Sequence, residues 1–335
     1  MTVNREALGG ETGLAGGAQA PSAGPEAPSA KKNRVRKSTP WGEIALFTGP
    51  ALVVFSTFVI LPVVLAGYVS FYHWDGGGDL GKFIGFENYS NVLKDSVFIS
   101  SMKNNAFIVV MSLLIQGPLA LGVALLMNRK LRFRAAFRTM IFVPYVVAEV
   151  IAGAMWRLIL DQRGVLNTAL LQLGVFDKPA DAIGWLSDQK LVMWTMMFVL
   201  TWKYVGLAII LFLAGLQGVP DEVLEAAAID GASWWQVQRR ITIPLLGPTI
   251  RVWMFLSIIG SIQLFDMARL LTNNGAPFDS AYTMAMFVID RAVRMRQYGY
   301  ATAAAIVLFV ISLTAALLFM RFVMRRDNEG EGGVA

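Results

Sequence analysis

Few residues in this chain could carry covalent chemistry. There is one histidine, His73, and no cysteine, so thiol nucleophiles, thiolate metal sites and disulfides are excluded, as is any paired-histidine zinc pattern. Gly76 to Lys82, reading GGGDLGK, nearly spells a phosphate-cradling loop, but Phe83 stands where a Ser or Thr would hold magnesium and no strand–loop–helix pattern surrounds it. What remains are charged and polar groups inside apolar runs, namely Glu149, Arg157, Lys203, Arg251, Asp266 and Arg269. Such groups are costly in a bilayer and default to functional roles. Lys203 and Glu149 lie deep enough to pair with each other or with a partner chain, whereas Arg251 and Arg269 lie near span ends and suit snorkelling. Ser257, Ser261, Gln263 and Asp266 place hydrogen-bonding groups along one run, and Trp156, Trp202 and Tyr204 add aromatic faces. Such groups could line the path of a polar ligand. Serine in a membrane helix equally serves packing, and Asp266 falls on a different face from Ser257 and Ser261.

These residues need membrane helices to position them. The chain is 56% hydrophobic and only 16% charged, too apolar for a soluble domain, where about a quarter of residues are charged. Six apolar runs have the ~20 residues a bilayer requires: Ile44–Val69, Ala106–Met127, Met140–Leu160, Leu191–Leu216, Gly247–Leu271 and Tyr300–Val323. The fold class is therefore all-α, a polytopic membrane helix bundle of about six spans within residues 41–326. Pro50 and Pro62 imply local kinks in the first span. Residues 1–40, rich in Gly, Ala, Ser, Pro and Glu, read as a disordered cytoplasmic tail with no signal-peptide core, and 327–335 as a short cytoplasmic tail.

Basic residues set the orientation. Lys31, Lys32, Arg34, Arg36 and Lys37, then Arg129, Lys130, Arg132, Arg134 and Arg138, then Arg239 and Arg240, then Arg321, Arg325 and Arg326 all fall on one side. The other side holds Lys and Arg spread over longer loops, so the denser side is cytoplasmic. Both termini are then inside a cytoplasmic membrane. The net charge of +6 is a topology signal rather than a nucleic-acid footprint. The cluster at 31–37 has a second reading as attraction to anionic headgroups.

Between the fourth and fifth runs, residues 217–246 form a cytoplasmic loop with two short helices. Pro220 suits a first helical position, and Asp221 and Glu222 favour the positive end of the dipole. Gly231 ends the first helix in a left-handed conformation. Ser233 and Gln236 have capping-box spacing for the second, which Pro244 stops or kinks. Glu225-Ala226-Ala227, Gly231, Ile241, Ile243 and Pro244 at this spacing resemble the EAA loop of ABC importer permeases, with Ile243 where the family usually has Leu. Gly85-Phe86-Glu87-Asn88-Tyr89, Gly164 with Leu166 and Asn167, and Leu264-Phe265-Asp266 followed by Gly275-Ala276-Pro277 are similar to the carbohydrate-uptake, oligosaccharide-type members, though Ala276 interrupts their Gly-Gly-Pro. The resemblance covers about residues 41–326.

The resemblance implies a permease subunit that moves a sugar, with an oligosaccharide expected, by ATP-driven alternating access. It implies no enzyme activity and no cofactor on this chain, ATP being bound by partners. Those partners are a second permease, two ATPase subunits and an extracytoplasmic solute-binding protein. Glu225, Ala226, Ala227, Gly231, Ile241 and Pro244 would form the ATPase-coupling loop, with Glu225 paired to a basic residue there. Trp156, Lys203, Tyr204, Ser257, Ser261, Gln263 and Asp266 are the candidate substrate path. Glu225 as a plain solvated charge, a glycerol phosphate cargo, and an ion-coupled secondary transporter using Glu149, Lys203 and Asp266 are the alternatives.

Overall fold

The computed structural model describes residues 41–128, 134–272, 275, 277 and 279–323. The two tails, the basic cluster at 31–37, and Arg129, Lys130, Arg132, Ala276, Arg325 and Arg326 lie outside the described residues. The chain divides into two units, Met1–Val53 and Val54–Ala335. The described part of the first belongs to helix α1 (Trp41–Phe55), which contains Pro50. The second holds α2 (Leu61–Val69), α3 (Glu87–Lys94), α4 (Ser96–Met111), α5 (Gly117–Met127), α6 (Arg134–Val146), α7 (Glu149–Ile159), α8 (Val165–Gln172) and α9 (Val192–Leu216). It continues with α10 (Asp221–Ile229), α11 (Trp234–Val237), α12 (Ile243–Leu245), α13 (Gly247–Ile262), α14 (Asp266–Leu271), α15 (Met284–Ile289) and α16 (Tyr298–Phe322). Among the described residues the only β pairing is a single bridge, Tyr72 with Phe83.

Four helical runs are long and apolar enough to cross a membrane: Ala45–Val69, Ser96–Met127, Val192–Leu216 and Tyr298–Phe322. Two bent pairs make six, Ala136–Val146 with Glu149–Ile159 at 95°, and Trp234–Leu245 with Gly247–Ile262 at 66°. The second span thus starts ten residues before the expected Ala106. Asp95 caps it, its Oδ1 accepting from Val97 N at 2.9 Å, and its polar residues Ser101 and Asn105 are buried against the bundle rather than exposed. The fifth run, expected to continue to Leu271, breaks at Gln263–Phe265.

Proline explains much of the irregularity. It lacks an N–H and its ring clashes with the carbonyl four residues back, so the backbone widens to an i→i+5 turn just before it. Such turns at Ser56–Ile60, Ser112–Gln116 and Gln238–Thr242 each end two residues before a proline, at Pro62, Pro118 and Pro244. Pro244 therefore does not stop its helix. The change of direction comes at Leu246, whose N–H still bonds Thr242 O at 3.0 Å.

Two apolar clusters hold the bundle. One gathers Phe98, Met196, Met267 and Phe287; the other gathers Ala124, Phe212, Leu216 and Trp253. Close approach of α6 to α9 depends on Gly206, where a Cβ would stand 2.3 Å from Ile141 O. GGGDLGK closes a hairpin, with His73 N donating to Lys82 O at 2.9 Å, and opens no helix. The Asn88 side chain donates to Ser70 O and Tyr72 O at 2.8 and 3.0 Å, so the Gly85–Tyr89 stretch ties the end of the first span to α3.

Asn105 joins three elements. Its Nδ2 donates to Ser261 O at 2.7 Å and Ile262 O at 3.2 Å, and its Oδ1 accepts from Met284 N at 2.9 Å. Asn105→Leu is expected to destabilise the protein by about 1–3 kcal/mol, the cost of leaving buried backbone groups unpaired. Unfolding in mixed micelles measures it, with Lys103→Leu, at an exposed position of the same helix, as the control.

Candidate functional site

The loop at 217–246 forms as two capped helices. Pro220 is the N-cap of α10, with extended backbone, rather than its first helical residue, and Asp221 and Glu222 fill the first turn. An extended φ/ψ is what a cap needs, and proline supplies it without losing a helical bond. Gly231 is left-handed at φ 75°. The turn closes with Gly231 N to Ala228 O at 3.1 Å and Ala232 N to Ala227 O at 3.0 Å, satisfying carbonyls the helix end would orphan. The capping box of α11 is complete, Ser233 N donating to Gln236 Oε1 at 2.7 Å and Gln236 N to Ser233 Oγ at 3.4 Å. Ala227 faces inward, while Glu225 and Ala226 are exposed. Ile241 is half-buried and Pro244 exposed. Elsewhere on the same loop Ile229 is 87% and Trp235 73% exposed.

The second group of predicted residues meets where the third span breaks. Between α6 and α7 the chain turns through 95° at Val147 and Ala148, which frees the last carbonyls of α6. Lys203, buried in α9, donates from Nζ to Pro144 O at 2.9 Å, Tyr145 O at 2.8 Å and Val147 O. A cation at a helix C-terminus also meets the negative end of the dipole. Glu149 sits in the first turn of α7, the complementary end, and accepts from Tyr204 Oη at 2.6 Å. A Lys203–Glu149 ion pair, one of the two pairings expected, is therefore absent among the described residues: the open backbone takes Lys203 and the Tyr204 hydroxyl takes Glu149.

Around this break stand aromatic rings. Tyr145 lies 6.4 Å from Tyr204, centroid to centroid, and Trp156 lies 5.3 Å from Trp202. The buried Trp156 Nε1 has no hydrogen-bond partner. α14, with Asp266 exposed at its start, packs against α7. Ser257 and Ser261 are elsewhere. Ser257 Oγ pairs with Ser112 Oγ at 2.7 Å, and Ser261 is buried with its carbonyl on Asn105, so both serve helix packing. Gln263 is exposed at the C-cap of α13. Sequence reasoning missed Asn105, Thr283 and Tyr145. Their only local signal is a polar residue at the edge of an apolar run.

At the far end of the bundle, charges are paired. Asp95 Oδ2 accepts from Arg291 at 2.9 Å and from Tyr300 Oη at 3.0 Å. Asp290 takes Arg269 at 3.7 Å, Arg294 at 3.4 Å and the Tyr282 hydroxyl. Arg269 is thus ion-paired rather than simply snorkelling. Burial, then the bond to Asp290, raises the Tyr282 phenol well above its usual pKa, so it stays a donor at neutral pH.

A family model described as binding-protein-dependent transport system inner membrane component matches residues 116–327. The chain is 33% identical over 291 residues to a probable ABC transporter permease protein of Pyrococcus horikoshii, covering 85% of this chain and 97% of that one. It is 32% identical over 297 residues to the diacetylchitobiose uptake system permease protein of Streptomyces coelicolor, covering 85% and 83%. It is 29% identical over 300 residues to the arabinooligosaccharides transport system permease protein of Bacillus subtilis, covering 89% and 91%. In fold it resembles the crystal structure of a bacterial ABC transporter involved in the import of the acidic polysaccharide alginate, at 24% identity and TM-score 0.73, covering 85% of this chain and 96% of that one.

Lys203→Met is expected to lower stability by about 1–3 kcal/mol through the unpaired carbonyls, while Lys203→Arg recovers most of it. Tyr204→Phe, which removes only the donor to Glu149, is expected to have a smaller effect. Detergent-unfolding midpoints of the three variants check the order.

Proposed function

The chain belongs to the family of binding-protein-dependent transport system inner membrane components, the membrane subunits of ABC importers, and from that premise we propose that it moves a sugar, an oligosaccharide in particular, by ATP-driven alternating access. The observation that carries the mechanism is the loop at 217–246. Glu225 stands exposed on a short capped helix whose turn is fixed by Gly231, and the same loop exposes Ile229 and Trp235. An exposed acid on a helix of the same loop as exposed apolar side chains fits a groove on an ATPase subunit that offers a basic residue. Two ATPase subunits bind and hydrolyse ATP, so this chain carries no cofactor. Their closure moves the loop, and the wide turn before Pro244 passes that motion to α13.

A second permease subunit completes the pathway, and an extracytoplasmic solute-binding protein delivers the cargo to the outer face. Both termini are then cytoplasmic, in the cytoplasmic membrane, as the basic residues predict. The rings at the break of the third span supply the substrate contacts. Trp156, Trp202 and Tyr204 offer ring faces to the sugar. Asp266 faces the same pathway from the start of α14. Relatives that take up diacetylchitobiose and arabinooligosaccharides support the cargo class. The glycerol phosphate reading is weakened because Lys203 is engaged by three carbonyls, and the ion-coupled reading is left with Asp266 alone, since Glu149 accepts from Tyr204.

Glu225→Ala is expected to leave membrane insertion intact and to abolish ATPase docking, truncation of one partner of a buried charge pair costing about 2–5 kcal/mol. Co-purification of the tagged chain from mild detergent reads docking, and uptake of labelled oligosaccharide reads transport. Normal uptake by the variant would sink the coupling assignment. Purification of the wild-type chain alone, with solute moving on an ion gradient, would overturn the importer reading.

A further inference from the structure

A cleft of about 370 Å³ opens where the end of α7, the segment leading to α9 and the end of α14 meet. Arg157, Asp161, Gln162, Arg163, Trp185 and Ser187 give it a polar and aromatic lining. Its volume is that of a small-ligand site, about 300–1,000 Å³. One buried side chain builds it. Asn167, 2% exposed, donates from Nδ2 to Asp161 O at 3.3 Å, Gln162 O at 3.2 Å and Ile183 O at 2.9 Å. Its Oδ1 accepts from Trp185 Nε1 at 3.1 Å. Both rims are therefore tied to one another, and the indole is held in place with its only donor spent. What Trp185 has left to offer a ligand is its ring. A site fixed in this way loses little freedom when it is filled.

The charges in the cleft are unspent. Arg269, Arg291 and Arg294 are each paired with Asp290 or Asp95. Arg157 and Arg163 are both exposed, and among the described residues neither guanidinium has an ion-pair or hydrogen-bond partner. Asp161 does not neutralise them. Its Oδ1 accepts from the Arg163 backbone N–H at 3.0 Å, and the lining keeps two cations to one anion. A guanidinium is always charged and takes a carboxylate through paired N–H donors. Two open guanidiniums beside a fixed indole suit a ligand with a carboxylate on a ring. We propose that the cleft is an outer subsite for an acidic saccharide, a uronate residue whose carboxylate is taken by Arg157 and Arg163 while its pyranose lies on Trp185 and its hydroxyls meet Gln162 and Ser187. This rests on the reading of the chain as a sugar importer subunit and narrows the cargo to oligosaccharides that carry carboxylates. One span, α9, separates the cleft from the loop at 217–246, so under the positive-inside rule it stands on the extracytoplasmic face. There it meets the sugar on arrival, and α7 links it to the break of the third span.

The test uses the assembled importer in nanodiscs, titrated by calorimetry with a uronate trisaccharide and with its carboxyl-reduced, neutral counterpart. The acidic sugar is expected to bind about tenfold more tightly, a difference of ~1.4 kcal/mol. Arg157→Gln and Arg163→Gln are each expected to weaken the acidic sugar about tenfold and leave the neutral one unchanged, with the melting temperature unmoved because both positions are exposed. Trp185→Leu is expected to weaken both sugars alike. Equal affinity for the two sugars in the wild type, or a preference for the acid that survives removal of both arginines, would overturn the proposal. Displacement of the trisaccharide by an equal concentration of acetate would overturn it in favour of a simple anion site. Weaker capture of the solute-binding protein by the arginine variants, with sugar affinity intact, would make the cleft a protein contact instead. Uptake of labelled oligosaccharide separates this subsite from the importer reading: uptake of the neutral sugar with no preference for the acid sinks the subsite alone, whereas no ATP-dependent uptake of either sugar sinks both.

Discussion

Inside a bilayer every backbone carbonyl must find a donor, because water is not there to supply one. Two spans of this bundle are interrupted, and each interruption survives because a buried polar side chain from another helix takes up the freed carbonyls. At the third span the donor is the Lys203 ammonium, on the carbonyls of Pro144, Tyr145 and Val147. At the fifth it is Asn105, on Ser261 and Ile262, joined by Thr283, whose Oγ1 donates to Leu264 O at 2.8 Å. Without these donors the lower-energy course for both segments would be an unbroken helix, and the site would not exist.

The breaks create the site by turning side chains that would otherwise be spread along a cylinder. The 95° turn starts a new helix at Glu149, aligns its carboxylate with Tyr204, and lays α7 against α14, so Trp156 and Asp266 come from elements in contact. A buried charge used in this way is a positioning device. Lys203 holds the backbone, and aromatic rings gather around it.

The widened turns have a different cause. Where a proline follows, the helix widens instead of breaking, as before Pro62, Pro118 and Pro244. Such a turn keeps the helix continuous while loosening one ring of bonds. Before Pro244 it lies between the capped helices of the 217–246 loop and the fifth span.

Much of this was legible in the residues. Apolar runs predicted about six spans, to which four helices and two bent pairs correspond, since a bilayer demands length and hydropathy alone. The Ser233–Gln236 box and the left-handed Gly231 were readable because caps and turns are local chemistry, closed within a few residues. What sequence could not give was any partner far along the chain. Asn105 and Ser261 are 156 positions apart, and Lys203 reaches carbonyls more than 50 residues away. Ser257 and Ser261 looked like substrate contacts until packing showed what they touch, and Lys203 and Glu149 looked like a pair until the break between α6 and α7 gave each a nearer partner. Hydropathy is a property of the segment and survives averaging; the satisfaction of a buried polar group depends on which backbone group tertiary packing brings within three ångströms, and only the folded bundle decides that.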